Sequence, residues 1–253
     1  MSKKTDYEGF CQEFKKKLQL LVFLIKFALS DFGKGDSSAL GYGDNLLPGQ
    51  PPGLARYLLN LIEREKNVRI SWEISNLGNY YSTTRDWLPE SEQMGVKGSK
   101  KLFKKSFNET SKFEYDLIII VFSGVQDFHK GISPEETLLN LEKLIKVLSN
   151  YGIMTFIYKG FPNFPGLKYF GESCVSDQAK RTELLSEWLD ANKFDHLKVG
   201  PEISSFEYKH PGLYFKDVNF SQLGYRNLAK DSMDVLTPCL VKIQFQTLRK
   251  YIK

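Results

Sequence analysis

The sequence of 253 residues is poor in the residue types that most often hold metals or build disulfide frameworks. It contains three cysteines and three histidines. Cys11, Cys174 and Cys239 lie far apart and form no CxxC pair, so neither a disulfide framework nor a zinc site is predicted. We expect free thiols in a reducing compartment, with no metal and no other cofactor.

The N-terminal region lacks the apolar length that a membrane-spanning helix needs. Lys15–Lys17 precedes the apolar run Leu18–Leu29, but Lys26 interrupts this run and no small-residue cleavage site follows it. We predict that residues 1–19 form a basic N-terminal helical extension rather than a signal peptide, and that the protein is cytoplasmic. Peripheral contact with an anionic membrane is the alternative that this basic segment leaves open.

The excess of positive charge is small. Lysine and arginine number 35 against 30 aspartate and glutamate residues, which gives a formal net charge of +5. Much of this excess lies in Lys15–Lys17 and Lys97–Lys105, and no recognised nucleic-acid-binding motif accompanies either cluster. We predict solvated surfaces for both clusters, and we do not expect nucleic acid as a partner.

Nothing in the sequence divides the chain into several domains. It contains no repeat and no low-complexity stretch, and its 42% hydrophobic residues suffice for one sizeable core. The Pro- and Gly-rich stretch Pro48–Gly53 is too short to be a linker. We therefore predict a single domain over residues 1–253.

Apolar runs and amphipathic segments alternate along the chain. The predicted strands are 20–29, 68–74, 116–123, 153–158 and 196–199, and the predicted helices are 7–18, 53–64, 134–150, 177–192 and one from near Leu223. The apolar run Leu117–Phe122 is typical of a strand buried on both faces of a parallel sheet. Ser133-Pro134-Glu135-Glu136 predicts a capping box at the start of a helix. This alternation predicts an α/β protein with a mainly parallel sheet covered on both faces.

Three motifs follow predicted strands, at the edge of a parallel sheet where ligands bind. They are Gly35-Asp36-Ser37-Ser38-Ala39-Leu40-Gly41-Tyr42-Gly43, then Asn76-Leu77-Gly78 with Ser82–Leu88, and then Ser123-Gly124-Val125-Gln126-Asp127. In this order the motifs resemble the first three sequence blocks of the SGNH/GDSL serine hydrolases. The resemblance extends from about Lys26 to the last helix and implies a single flavodoxin-like three-layer α/β/α domain, the SGNH hydrolase fold.

The resemblance also implies an esterase or lipase-like activity on small-molecule acyl esters. Ser37 would be the nucleophile that attacks the ester carbonyl. The backbone N–H groups of Ser37 and Gly78 and the side-chain amide of Gln126 would hold the developing oxyanion. Gln126 stands where the family has asparagine, so its amide is one methylene farther from the backbone than the family's amide.

The fourth block of the family, Asp-x-x-His before a helix that contains Gly-Tyr, departs from the pattern. When the sequence is aligned on Gly224-Tyr225, the histidine position holds Asn219. When it is aligned on Asp217, the histidine position holds Phe220. Neither side chain can take a proton from a serine. The sequence therefore predicts either a base recruited from elsewhere or a site without catalysis.

His210 is the first choice for the missing base. It lies in Glu207-Tyr208-Lys209-His210-Pro211, just upstream of the fourth block. A rearranged fourth loop would bring His210 to Ser37, with Asp217 or Glu207 orienting the imidazole ring. The predicted catalytic set is thus Ser37, His210 and Asp217.

His129 is the alternative base, because it lies on the loop that follows the third motif. His196 begins a predicted strand and ranks last among the three histidines. The competing hypothesis is an inactive family member that serves as a ligand-binding or membrane-surface interaction protein.

Several other side chains near these motifs have both a structural and a functional interpretation. Asp127 is expected to cap the turn or helix that follows its strand, and Arg85 is expected to be solvated at a helix start or to bind an anionic ligand group. Six aromatic residues are expected either to pack in the core or to line an acyl pocket: Tyr80, Tyr81, Trp87, Phe161, Phe164 and Phe170.

Overall fold

The computed structural model describes residues 16–23, 53–70, 72–76, 82–89, 102–106, 116–122, 124–161, 163–204, 210–215 and 219–251. The strands are β1 (Lys16–Phe23), β2 (Trp72–Asn76), β3 (Leu117–Phe122), β4 (Met154–Lys159), β5 (Leu197–Glu202), β6 (Tyr214–Phe215) and β7 (Asn219–Phe220). The α-helices are α1 (Leu54–Arg64), α2 (Leu102–Ser106), α3 (Val125–His129), α4 (Pro134–Asn150), α5 (Glu172–Ala191) and α6 (Gln222–Tyr251). Short 3-10 turns cover Thr84–Trp87, Pro165–Phe170 and Pro211–Leu213.

The first five described strands form one parallel sheet in the order β2-β1-β3-β4-β5. This is the flavodoxin-like order, in which the direction of winding reverses between β1 and β3. The strands β6 and β7 pair antiparallel with each other. The prediction of an α/β protein with a mainly parallel sheet is confirmed.

The central strand β3 is buried on both faces because helices cover both sides of the sheet. Its residues alternate between two cores. Leu117, Ile119 and Val121 pack in the core that includes side chains of α1 and α6. The core on the opposite face contains side chains of α4 and α5, together with Ile118 and Ile120. Burial of each such side chain contributes roughly 1.5–3 kcal/mol to the stability of the fold. The apolar run therefore places β3 at the centre of the sheet, where both of its faces are covered.

The N-terminal elements differ from the prediction. Residues 16–19, which fall in the predicted helical extension 1–19, belong to strand β1. Lys16 pairs with Trp72, and Leu18 pairs with both Ile74 and Leu117, so the two neighbouring strands override the local helical spacing. Residues 1–15 lie outside the described residues.

The boundaries of three further elements are shifted relative to the prediction. β2 runs from Trp72 to Asn76, instead of over 68–74. β5 extends three residues beyond the predicted end, to Glu202, and α5 begins at Glu172, five residues before the predicted start. In the structure β2 ends at Asn76, the first residue of the second motif, and β3 ends at Phe122, directly before the third motif.

The start of α4 follows the sequence prediction, with one difference. Ser133 is the N-cap and accepts a hydrogen bond from the backbone N of Glu136 at 3.1 Å, with Pro134 in the first turn. The Glu136 carboxylate does not complete a capping box, because it is bound to Arg85.

Among the residues that the structure describes, no helix combines the length and the apolar composition needed to cross a membrane.

Candidate active site

The carboxyl ends of β1 and β3 define the region where the chemistry is expected. Phe23 at the end of β1 pairs with Phe122 at the end of β3, so the two strands end side by side. Ligands of such sheets bind at this point, where the strand order reverses. Ser37 and Gly78 lie outside the described residues, so their positions in the site stay predictions.

The third motif forms a sharp turn directly after β3. Gly124 has φ of +77°, a left-handed conformation that favours glycine. A β-carbon on Gly124 would lie 2.8 Å from Oε1 of Gln178 and 3.0 Å from Cδ of Arg181. Gln126, two residues later in α3, is buried at this edge with 6% of its surface exposed. The glycine of the motif is therefore required by the backbone conformation and by the close approach of α5.

Asp127 is completely buried and connects two segments of the chain. Its Oδ1 accepts a hydrogen bond from the backbone N of Thr84 at 2.9 Å. Its Oδ2 accepts from the hydroxyls of Thr84 and Thr137, each at 2.5 Å. The N-cap of α3 is Gly124, and it has no side-chain cap. The expectation that Asp127 caps its own helix is therefore wrong, because its carboxylate binds the segment after β2 and the helix α4 instead.

Arg181 lies beside this carboxylate and is fully buried as well. Its Nη1 is 4.0 Å from Oδ2 of Asp127 and donates to the Thr137 hydroxyl. Its Nε and Nη2 donate to the two carboxylate oxygens of Asp177 at 2.5 and 3.1 Å, and Nη2 also donates to the carbonyl of Ile132 at 2.5 Å. The guanidinium thus ties α5 to the third motif and to the start of α4.

The ionisation of Asp127 is subject to opposing influences. Full burial raises the pKa of its carboxyl above the ordinary value, because the charged form loses its solvation. Hydrogen bonds from Thr137 and Thr84 and the charge of Arg181 oppose that rise. These partners provide what a buried carboxylate needs in place of water.

Arg85 is held by a protein partner. Its Nε and Nη2 donate to the two carboxylate oxygens of Glu136 at 2.5 and 2.6 Å. Both side chains are about one-third exposed, 34% and 33%. The pair raises the pKa of Arg85 and lowers that of Glu136 through their mutual hydrogen bonds. Arg85 is therefore paired with Glu136 while about a third of its side chain stays exposed, and binding of a ligand anion by Arg85 stays a prediction.

His129 lies at the same edge of the sheet, at the end of α3. Its side chain is exposed, and its ring makes edge contacts with the rings of Phe128 and Phe170 at 5.5 and 5.7 Å. Loss of solvation and the neighbouring charge of Lys130 lower the pKa of His129. A lower pKa favours the neutral imidazole near neutral pH, which is the form that accepts a proton.

His210 is exposed, and its ring takes part in a local turn. Its Nδ1 accepts a hydrogen bond from the backbone N of Gly212 at 3.1 Å. A neutral imidazole that accepts at Nδ1 carries its proton on Nε2. In this arrangement Nε2 has no free lone pair with which to take a proton from serine. Asp217 and Glu207, the predicted orienting groups, lie outside the described residues.

His196 lies at the opposite edge of the sheet, directly before β5. It lines a cavity of about 220 Å³ together with Asp116 and Gly152, which precede β3 and β4. This edge contains the amino ends of the parallel strands, and Gln126 follows the carboxyl end of β3. The position of His196 is therefore unsuited to a base for a nucleophile at the carboxyl edge.

The fourth block contributes packing where the family pattern has an imidazole. Phe220 is 2% exposed and stacks on Tyr214 with ring centroids 5.2 Å apart. A β-carbon on Gly224 would overlap the carbonyl oxygen of Leu213. The Ser221 hydroxyl accepts a hydrogen bond from the backbone N of Gly224 at 3.2 Å, at the start of α6. The turn before α6 thus approaches the helix so closely that only glycine fits at position 224, and the Phe220 ring packs against the same turn.

Three of the six aromatic residues considered for an acyl pocket belong to the core. Trp87, Phe161 and Phe164 are 1%, 1% and 4% exposed. Phe170 is half-buried beside His129, and Tyr80 and Tyr81 lie outside the described residues. The core interpretation is therefore confirmed for Trp87, Phe161 and Phe164.

No family model matches the sequence, and no curated protein matches it. Solved structures do match. A GDSL-like lipase from Bacteroides thetaiotaomicron is 11% identical with a TM-score of 0.51, and the match covers 94% of this chain and 97% of that chain. The chain has the SGNH hydrolase fold.

Two further solved structures are similar to this chain over most of its length. A family 3 carbohydrate esterase from Clostridium thermocellum is 12% identical with a TM-score of 0.55, covering 89% of this chain and 98% of that chain. A mutant of an acetyl-xylooligosaccharide esterase from Geobacillus is 13% identical with a TM-score of 0.55, covering 87% and 93%. This structural likeness confirms the fold predicted from the motifs. At such low sequence identities it establishes the fold alone.

The buried cluster around Asp127 was not predicted from the sequence. One feature of α5 indicates it in retrospect, because polar residues interrupt the buried stripe of that helix. The buried positions of α5 are Cys174, Gln178, Arg181, Leu185 and Leu189. An arginine in a stripe that is otherwise largely apolar, with an aspartate four residues earlier beside the stripe, is the pattern of a buried arginine held by an ion pair.

Replacing Gly124 with alanine should destabilise the SGNH fold of this chain by more than the same change at Gly131. Gly131 also has a positive φ, +66°, but a β-carbon there would meet nothing within 4 Å. The two variants share the strain of a left-handed residue, about 1–2 kcal/mol. Only Gly124→Ala adds crowding against Arg181, whose hydrogen bonds to Asp177 prevent it from moving.

The excess loss in Gly124→Ala should be about 1–3 kcal/mol, as for an overpacked core. The measurement is the free energy of unfolding of both variants in urea. Equal losses in the two variants would contradict the close packing of α5 against the third motif.

Proposed function

We propose that this chain is an SGNH/GDSL-type serine hydrolase that cleaves small-molecule acyl esters, with Ser37 as the nucleophile. The observation that supports the proposal is the place of the third motif. Gly124–Asp127 begins two residues after the end of β3 and lies beside the end of β1, the last strand before Ser37 in the sequence. A left-handed glycine, a buried amide side chain and a buried carboxylate are thus placed together at the edge where ligands of this fold bind.

The proposed reaction is a two-step acyl transfer. Ser37 Oγ attacks the carbonyl carbon while a histidine takes the hydroxyl proton, and the backbone N–H groups of Ser37 and Gly78 and the Gln126 amide hold the oxyanion. The tetrahedral intermediate collapses and breaks the ester C–O bond, and the alcohol leaves with the proton from the histidine. Water then attacks the acyl-serine while the same histidine takes its proton. The bond between the acyl carbon and Ser37 Oγ breaks, the histidine returns the proton to Oγ, and the carboxylic acid leaves.

His210 is the proposed base, with Asp217 as the group that orients it. To act in this way the ring must release the backbone N of Gly212, so that Nδ1–H donates to the carboxylate and Nε2 accepts from Ser37. His129 is the alternative base. Its lowered pKa supports this alternative, since the ring is then neutral and able to accept a proton near neutral pH.

The hydrolysis of p-nitrophenyl acetate and butyrate by wild type, His210→Ala and His129→Ala tests this proposal. Acetyl esters come first, because one of the proteins with a similar structure is an acetyl-xylooligosaccharide esterase. Loss of the base should lower kcat by about 10⁴- to 10⁶-fold. We expect this loss of kcat in His210→Ala. His129→Ala should change kcat by less than about tenfold, since His129 takes no part in proton transfer if His210 is the base.

The other outcomes of this experiment are equally specific. A large loss in His129→Ala alone would assign the base to His129. Two variants that retain the wild-type rate would exclude both histidines. Wild type at the rate of the buffer blank would contradict ester hydrolysis itself.

A second candidate function is a ligand-binding protein without catalysis, at the site itself or at a membrane surface. One observation favours it: His210 Nδ1 is already engaged as an acceptor by Gly212, which leaves the ring in the wrong tautomer for a base. This candidate predicts that the protein binds a short-chain ester or its acid product without turnover. Titration calorimetry with acetate and butyrate esters distinguishes it from an active enzyme.

A further inference from the structure

We propose that Asp127 and Thr84 are positioning residues, which fix the segments after β2 and β3 so that the oxyanion donors stay in register. The inference rests on the proposed hydrolase function. It assigns a role to two side chains that neither attack the ester nor exchange protons with it.

The hydrogen bonds of Asp127 form a cross-link between the second and third motifs. Thr84 lies six residues after Gly78, and Asp127 is the residue after Gln126. The carboxylate of Asp127 accepts from both the backbone N and the hydroxyl of Thr84, at 2.9 and 2.5 Å. Two bonds to one residue fix distance and orientation together. The two segments that carry the proposed side-chain and backbone donors are therefore joined one and six residues away from those donors.

The hydroxyl of Thr84 has a second partner, which fixes the direction of its proton. Nδ2 of Asn140 donates to Thr84 Oγ1 at 3.0 Å, so this hydroxyl donates toward Asp127. Thr84 is 3% exposed, and Asn140 is 5% exposed. In such a dry environment each lost partner leaves an unpaired polar group, and the arrangement has little freedom to shift.

Arg181 provides the positive charge that a buried carboxylate requires. It reaches Asp127 at 4.0 Å and shares the Thr137 hydroxyl with it. Thr137 and Asn140 project from α4, and Arg181 projects from α5. The cross-link between the two motifs is thus attached to both helices that cover this face of the sheet.

The position of Gln126 is restricted from both sides along the chain. Gly124 is packed against Gln178 and Arg181 with no room for a β-carbon, and Asp127 is bonded on the other side. A donor that must meet the oxyanion loses much of its effect when displaced, since a misplacement of about 1 Å can lower the rate on the order of 10²-fold. Loosening of the cross-link should therefore lower kcat more than it raises KM, because the oxyanion exists only after the attack.

Thr84→Val and Thr84→Ser together test this role. Valine keeps the shape of threonine but removes the hydroxyl, and serine keeps the hydroxyl. For hydrolysis of p-nitrophenyl acetate, Thr84→Val should lower kcat roughly ten- to a hundred-fold, with KM within about threefold of wild type. Thr84→Ser should retain kcat within about threefold. Asp127→Asn, which changes the acceptor itself, should show the same pattern with a larger loss of kcat.

Ser232→Ala is the matched control for a purely structural effect. Ser232 is fully buried, and its hydroxyl is 2.8 Å from the Tyr158 hydroxyl and donates to the Leu228 carbonyl at 2.6 Å. The change removes one buried hydroxyl, as Thr84→Val does, in the core on the other face of the sheet. It should lower the melting temperature without lowering kcat at a temperature where all variants are folded.

The outcomes separate the positioning role from the proposed function. The positioning role is supported if Thr84→Val lowers kcat while Thr84→Ser and Ser232→Ala both retain it. Equal values of kcat in Thr84→Val and Ser232→Ala overturn it and leave the hydrolase proposal intact. A wild-type protein without turnover overturns both.

Discussion

Replacing Ser37 with alanine should lower kcat for acetyl-ester hydrolysis by about 10⁴- to 10⁶-fold. The reason is that the proposed reaction passes through an acyl-serine, and alanine offers no oxygen on which to form it. KM should change much less, because the ester is bound mainly by other groups. The measurement is the initial rate with p-nitrophenyl acetate over a range of substrate concentrations.

The neighbouring serine provides a matched control for this result. Ser38 follows Ser37 in the first motif. Ser38→Ala removes the same hydroxyl one residue away and should retain kcat within about tenfold. Large losses in Ser38→Ala with turnover retained in Ser37→Ala would show that the motif alignment is shifted by one residue.

Replacing Gln126 with alanine should lower kcat by about 10²- to 10³-fold, the loss typical of one oxyanion donor. Gln126→Glu should lower it at least as much, since a carboxylate of the same length accepts hydrogen bonds and repels the oxyanion. Lys130→Ala, at an exposed position just after the same short helix, should retain the wild-type rate. The measurement is kcat and KM for p-nitrophenyl acetate with all four proteins.

Retention of the wild-type kcat in Gln126→Ala would contradict the assignment of Gln126 to the oxyanion site. Such a result would fit the sequence difference at this position, because glutamine places its amide farther from the backbone than the family's asparagine. The Ser37 and Gly78 N–H groups would then stabilise the oxyanion without a side-chain donor.

The sheet and the main helices were predictable because their signals are local and strong. Six consecutive apolar residues in Leu117–Phe122 can be satisfied only where both faces are covered, and Ser133-Pro134 marks a helix start by its own chemistry. The segment Lys16–Gln19 was predicted wrongly, since its spacing suits a helix as well as a strand. Pairing with β2 and β3 makes this segment a strand, and such pairing depends on the tertiary structure rather than on the local sequence.

The edge of the sheet where the third motif lies was also predictable, but the groups that support it were not. Arg181 and Thr137 are 44 residues apart, and Thr84 and Asp127 are 43 apart. Their hydrogen bonds depend on the packing of α4 and α5 against the sheet. In the sequence Arg181 is one more charged residue in a helix, and neither its burial nor its contact with Thr137 can be read from that.

The base illustrates a different limit. His210 ranks first in the sequence prediction because it lies only a few residues before the fourth block. Its suitability depends on the tautomer, and a hydrogen bond from Gly212 within a short turn sets that tautomer. Likewise, Phe220, which takes the histidine position in one of the two alignments, is a core residue because the preceding turn brings Tyr214 against it.

The most direct test of the central claim is the reaction of the protein with a fluorophosphonate, followed by intact-mass and peptide mass spectrometry. An activated serine displaces the fluoride and keeps the phosphonyl group, whereas ordinary serines do not react. The account predicts one phosphonyl group per chain, on the peptide that contains Ser37, and no label on Ser37→Ala. An unlabelled wild-type protein, or a label that persists in Ser37→Ala, would contradict it.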